Sequence, residues 1–292
     1  MQGIILRGVG GFYYALDEHG TIHTIRAQGK LRREHMKPLV GDRVEMTPGN
    51  DEEHGWILGI LPRSTHLERP PVANIDTILI VLAAATPDPD TLLADRLILN
   101  ARRANMRVRL VVTKCDLDRA SAEELLRQYA LADVQPMAVS SVTGEGLDEL
   151  RTSLAGNIYA LAGQSGAGKS SLINALYGFS LETGDLSHKI ERGKNTTRHC
   201  ELLPLSEGGM VLDTPGFSLL ETDTFDPILL KDYYPEFLPY EGQCFFQTCI
   251  HSTEPGCAVR SAVAEGKIDP QRHARYVELL QDIKTRWRER YD

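Results

Sequence analysis

The chain has 292 residues, enough for two or three domains each with its own core. A hydrophobic share of 42% and a charged share of 25% are ordinary for a soluble globular protein. The net charge of −8 argues against a protein that coats nucleic acid indiscriminately, although three local basic stretches stand out: Arg26 to Lys37, Arg102 to Arg109 and Arg272 to Arg290.

In chain order, residues 1–68 read as all-β. Short apolar stretches recur at Gly3 to Leu6, Phe12 to Leu16, Thr21 to Ile25, Val40 to Met46 and Gly55 to Leu61, separated by turn residues. Such a series suits a small barrel, with the oligonucleotide-binding (OB) barrel ahead of an SH3-like one. Pro62 and the step at Arg69 to Pro71 mark the exit. From 72 to 222 the pattern becomes β–α alternation. Strands are expected at Ile75 to Ala84, Arg107 to Thr113, Val134 to Ser140, Asn157 to Ala162, Cys200 to Leu205 and Gly209 to Leu212. Helices are expected at Thr91 to Asn105, at Ser121 to Tyr129 with a capping-box start, and at Lys169 to Tyr177. This is the signature of a doubly wound, mostly parallel sheet with its ligand at the C-terminal strand edge. Residues 223–292 form a smaller segment ending in a helix-like run from Pro270 to Tyr291. The longest apolar stretch, Ile75 to Ala85, falls short of the roughly 18–20 residues of a membrane span. The N-terminus lacks the features of a signal peptide, so a cytosolic protein with no membrane partner is expected.

The chemistry begins at Gly163-Gln164-Ser165-Gly166-Ala167-Gly168-Lys169-Ser170, which fits the phosphate-loop pattern and is followed by Ser171. Glycines let the backbone wrap around phosphates with N–H groups inward, Lys169 adds a cation at the β- and γ-phosphates, and Ser170 offers a hydroxyl to Mg²⁺. Thr113-Lys114-Cys115-Asp116 follows a strand. Asp116 can accept from guanine N1–H and N2–H₂, which adenine cannot supply, and so selects GTP over ATP. Lys114 would cover the base. Thr113 stands where Asn is usual, so a weaker tether to the phosphate loop is expected. Ser140 and Ser141 would turn backbone N–H towards guanine O6. Asp213-Thr214-Pro215-Gly216 ends a strand: Asp213 would hold Mg²⁺ through water and Gly216 N–H would meet the γ-phosphate. The next residue, Phe217, cannot orient a water, so intrinsic hydrolysis should be slow and a catalytic group must come from elsewhere. In the switch-like run before that strand, Thr197 is the first choice for a Mg²⁺ ligand and Thr196 the second. His199 either positions water or is a loop histidine without a role.

An ordinary GTPase places the phosphate loop first. Here the guanine-type motifs precede it and the switch motifs follow, a cyclic shift that defines a circularly permuted GTPase. Of five cysteines, Cys115 and Cys200 read as ordinary residues. Cys244, Cys249 and Cys257 crowd with His251, a set of three thiolates and one imidazole that suits a closed, tetrahedral structural Zn²⁺ site.

The whole chain resembles the circularly permuted, small-ribosomal-subunit-dependent GTPases of the RsgA/YjeQ family. That likeness rests on the barrel, the order of the motifs at 113–116, 140–141, 163–171, 196–199 and 213–217, and the cysteine-histidine finger at 244–257. It implies an N-terminal OB-like barrel (1–68), a permuted α/β GTPase domain (72–222) and a C-terminal, α-rich zinc domain (223–292). It also implies GTP, GDP and Mg²⁺ as ligands, and a late role in maturation of the 30S subunit with hydrolysis stimulated by that particle. Barrel and zinc module are both common holders of RNA, so Arg26, Lys30, Arg32, Arg33 and Lys37, with Arg286, Arg288 and Arg290, are expected to meet 16S rRNA phosphates. A monomer is expected. Two rivals stay open: a nucleotide-dependent RNA chaperone that barely hydrolyses, and a phosphate-loop ATPase or kinase for a small molecule.

Overall fold

The computed structural model of the chain describes residues 1–33, 36–49, 53–68, 70–179, 200–213 and 225–290. Strands β1 (Gln2–Val9), β2 (Phe12–Asp17), β3 (Ile22–Ala27), β4 (Arg43–Thr47) and β5 (Gly55–Ile60) close into a barrel in the order β1-β2-β3-β5-β4, with the short helix α1 (Gly29–Arg33) between β3 and β4. The parallel β3–β5 pair and that order are those of an OB barrel, which settles the choice the sequence left open. Alternation builds it: β4 buries Val44 and Met46 and exposes the residues between. Ile5, Ala15, Ile25, Leu31 and Ile57 complete the core. A register shift between Ile5 and Arg7 bends β1 so that it pairs with both β2 and β4.

The exit from the barrel is a built joint. Strands β6 (His66–Glu68) and β7 (Pro71–Ala73) form a hairpin that the sequence did not suggest. Buried Asp42 takes a two-pronged ion pair from Arg63 at 2.7 and 2.8 Å and accepts from Leu39 N at 2.7 Å. Asn74 ties Gly41 O to Ser64 N.

The central sheet runs β10-β9-β8-β11-β13-β12, from β8 (Thr77–Ala83), β9 (Arg107–Thr113), β10 (Met137–Ala138), β11 (Ile158–Ala162), β12 (Glu201–Pro204) and β13 (Met210–Asp213). All pairs are parallel except β12–β13. Every residue of β8 and β11 is buried, as expected of strands covered on both faces. Along β8, Ile78, Ile80 and Leu82 pack under α2 (Thr91–Arg103) and α3 (Arg119–Gln128). Leu79 and Val81 pack under α4 (Leu147–Leu154) and α5 (Lys169–Tyr177). The strand expected at Val134 to Ser140 shrinks to two residues, because Asp133 and Gln135 take positive φ and Pro136 has no N–H to give the ladder. The helix expected to start at Ser121 starts earlier: Asp118 is the cap, accepting from Ser121 N at 2.9 Å.

The C-terminal module holds two 3₁₀ runs (Pro227–Tyr233 and Pro235–Tyr240), α6 (Ala258–Ala264) and α7 (Pro270–Glu289). Its core includes Leu99, a residue of α2. The inner face of α7 follows helical spacing but carries two arginines, Arg272 and Arg275, among Tyr276, Leu279, Leu280 and Ile283. Both arginines reach across to Asp95 of α2, with Arg275 Nε at 2.6 Å from Oδ2 and Arg272 Nη1 on Oδ1. Arg272 also meets Glu236 at 2.8 Å, and Arg275 donates to Gln128 Oε1 at 3.0 Å. Part of the third basic stretch of the sequence is therefore an internal ion network. Arg286, Arg288 and Arg290 are exposed.

Candidate nucleotide and metal sites

The C-terminal ends of β9 and β11 bring two of the motifs together. The loop after β11 needs its glycines. A Cβ on Gly163 (φ +138°) would stand 2.2 Å from Val81 O, and Gly168 (φ +91°), the cap of α5, lies against Thr113. Backbone N–H groups at the start of α5 are thereby left for an anion. Lys169 Nζ donates to Gly163 O and Gln164 O at 2.8 and 2.7 Å, bonds that γ-phosphate oxygens could replace. Ser170 is buried at the head of α5, and Ser165 is exposed beside Gly166.

Thr113 Oγ1 lies 2.6 Å from Ala167 O and 3.1 Å from Leu82 O. The expected weak tether is thus a direct contact between the base-type motif and the phosphate loop. Lys114 Nζ lies over the same loop, 2.9 Å from Gly166 O. Asp116 is exposed at the same edge. Ser140 is fully buried, and its hydroxyl accepts from Val142 N and Thr143 N at 3.2 and 3.0 Å. It shapes the loop in which Ser141 lies half-buried. Sequence reasoning missed the side chain of Gln164, which accepts from Asp90 N at 2.5 Å and donates to Asp88 O at 2.7 Å. Asp90 caps α2, so the phosphate loop is fastened to that helix. Nothing local in the sequence signals this, because the partners lie 74 and 76 positions apart.

The backbone of Asp213 ends β13, beside β11, which aligns it with the phosphate loop. Thr196, Thr197, His199, Gly216 and Phe217 lie outside the described residues.

Cys244, Cys249, His251 and Cys257 do converge. Their four ligand atoms lie within 4.8 Å of one another. His251 Nδ1 is 3.6 Å from Cys244 Sγ and 3.4 Å from Cys257 Sγ, and those two sulfurs are 4.0 Å apart. A tetrahedral ion with bonds of about 2.0–2.3 Å needs ligand separations of roughly 3.5–3.8 Å, so the cage fits a metal of that size. Burial lowers the His251 pKa to about 4, which leaves the imidazole neutral and able to ligate. Ala258 N and Arg260 N donate to Cys244 Sγ and Cys257 Sγ and so help fix the positions of those two sulfurs. Glu254, unnoticed in the sequence, gathers the N–H groups of Ile250, Ser252 and Thr253. From α7, His273 and Tyr276 hold His251 O and Ile250 O at 2.8 and 2.5 Å.

Sheet order, glycine loop and motif order together define a circularly permuted phosphate-loop nucleotide-binding protein with an OB barrel ahead of it. Residues 60–223 match the family described as RsgA GTPase, and residues 2–57 match the RsgA N-terminal domain. The chain belongs to the RsgA GTPase family. A relative from Caldanaerobacter subterraneus, named small ribosomal subunit biogenesis GTPase RsgA, is 44% identical over 100% of this chain and 98% of its own. One of the same name from Ruminiclostridium cellulolyticum is 45% identical over 97% and 93%. Among solved structures, YjeQ from Thermotoga maritima matches with a TM-score of 0.81 at 34% identity, covering 97% of this chain and 98% of that one. YloQ, titled a circularly permuted GTPase, matches with a TM-score of 0.79 at 31% identity, covering 98% and 95%.

Proposed function

We propose that this chain binds Mg²⁺-GTP at the edge formed by 113–116 and 163–170, hydrolyses it, and acts in biogenesis of the small ribosomal subunit, whose presence stimulates turnover. The observation that carries the nucleotide part is the 2.6 Å contact between Thr113 and Ala167. That contact supports the reading by holding the segment that carries Asp116 against the glycine loop that would cradle the phosphates. The biogenesis part rests on full-length relatives that bear that name.

In this reading Lys169 and the loop N–H groups bind the phosphates, and Asp116 reads guanine. Ser170, Asp213 and Thr197, with Thr196 as the second choice, would hold Mg²⁺, which supplies neutralisation of phosphate charge. His199 positions water. The Cys244, Cys249, His251, Cys257 cage takes one Zn²⁺ as a closed structural site, with no position left for chemistry. Exposed arginines of the barrel and of α7 meet 16S rRNA, and the protein works as a monomer in the cytoplasm. Among the described residues no helix is long and apolar enough to cross a membrane.

The test is GTP turnover by the full chain with and without small subunits, beside ATP and a Lys169→Ala control. Stimulation specific to GTP and abolished in the control is expected. Turnover indifferent to the subunit would sink the ribosomal part and leave the nucleotide site standing.

A further inference from the structure

The second basic stretch of the sequence, Arg102 to Arg109, has no part in the site above. In the fold Arg103 stacks over the Phe225 ring, while the other three arginines converge on a cleft of about 400 Å³ at the opposite edge of the sheet, where β8 and β9 begin. Arg107 and Thr77 are the first residues of β9 and β8, and Asn157 immediately precedes β11. Three guanidinium groups, Arg102, Arg107 and Arg109, line the cleft with a single carboxylate, Asp133. That gives it a positive charge in a chain whose net charge is −8.

The three arginines are not equivalent. Arg102 is spent on the carbonyls of Tyr233 and Ala132, so it belongs to the joint with the C-terminal module. Arg107 is exposed and donates through one nitrogen to Asn157 Oδ1, another residue of the cleft lining. Arg109 is half-buried and has no hydrogen-bond or ion-pair partner among the described residues. Burial and the neighbouring Arg107 charge both lower its pKa, with Glu149 opposing. A half-buried guanidinium held beside a like charge, with its fork unused, is poised for an anion with two acceptor oxygens.

We infer that this cleft is a binding site for an RNA backbone phosphate, gripped by Arg107 and Arg109. The ligand is RNA on the reading of the chain as a small-subunit protein, and Asp133, an exposed carboxylate at the cleft near Arg102, offers an acceptor to a 2′-hydroxyl. This rests on the reading that the chain works on the small subunit, and it adds a contact on the face of the GTPase domain opposite the nucleotide.

The test uses the full chain with a non-hydrolysable GTP analogue. Binding to small subunits and to a short single-stranded oligoribonucleotide is measured across a range of salt, with inorganic phosphate as competitor. The pair Arg107→Ala with Arg109→Ala should weaken binding about tenfold and flatten the log–log salt slope by about one, for the single backbone phosphate that the two arginines hold. Arg109→Lys should keep the slope, and basal GTP turnover should be unchanged in both variants. Affinity and slope unmoved by the double variant would overturn the inference. So would competition by inorganic phosphate at the concentration at which RNA competes, since the site would then be one for free phosphate. A wild-type chain that ignores the subunit yet binds the oligoribonucleotide through Arg109 would sustain the cleft and sink the ribosomal reading.

Discussion

Thr113 shows how one hydroxyl can set a nucleotide site. It joins the end of β9 to the phosphate loop, and Thr113→Val would keep the volume while removing the one hydroxyl donor, which lies nearest Ala167 O. The expected cost is about 1–3 kcal/mol in the folded state, with GTP affinity down about tenfold, read by thermal melting and nucleotide titration. Asp116→Asn removes the carboxylate that guanine needs, so GTP binding should fall roughly 10–100-fold while binding of xanthosine triphosphate rises. Unchanged preference would show that Asp116 does not read the base. In the barrel, Asp17 accepts from His23 at 2.8 Å and from Thr21 N and His19 N, which hold its pKa down at about 2. A carboxyl with a lower pKa folded than unfolded stabilises at pH above its ordinary value near 3.8 and loses that contribution as pH falls towards 2. An Asp17→Asn variant should therefore show a flatter stability profile between those pH values than the wild type, followed by fluorescence of Trp56 in β5.

At the scale of elements, the cage and the helix α7 depend on each other. The cage ligands sit on short turns, and α7 fastens two knuckle carbonyls through His273 and Tyr276. Removing the metal with a chelator should loosen the C-terminal module first, seen as a weaker near-ultraviolet signal from Tyr234, Tyr276 and Phe237, while the barrel keeps its strands. The ion network between α2 and α7 is the second dependence. Asp95→Ala strands two buried guanidinium groups, so a loss of about 3–5 kcal/mol and a fall in Tm of about 10 °C are expected. A change within about 1 °C would mean the network adds nothing. The sequence foretold most elements because their periods are local: alternation in β4, continuous apolar runs in β8 and β11, helical spacing in α5. It foretold the motif order and the gathering of Cys244, Cys249, His251 and Cys257 for the same reason. It did not foretell Asp118 as a cap, the short β10, the Gln164 bridge or the burial of Arg272 and Arg275. Each of these depends on a partner or a backbone angle that no local pattern records.

At the scale of the molecule, the helix α2 belongs to two cores. Leu97 and Ile98 pack on the central sheet, whereas Leu99 lies in the core of the C-terminal module and Asp95 anchors α7. Its cap, Asp90, is bonded to the phosphate loop through Gln164. The nucleotide edge and the C-terminal module are thus both attached to one helix. The order of synthesis gives this arrangement a cost. The stripe of α2 that holds Leu99 is made before α7, which shares its core and in turn leans on the cysteine-histidine cage. A cell short of that metal would accumulate chains whose sheet is complete but whose α2 still shows an apolar flank. Metal supply would then be felt first as poor solubility and prey for quality-control proteases, before any damage to the nucleotide site itself.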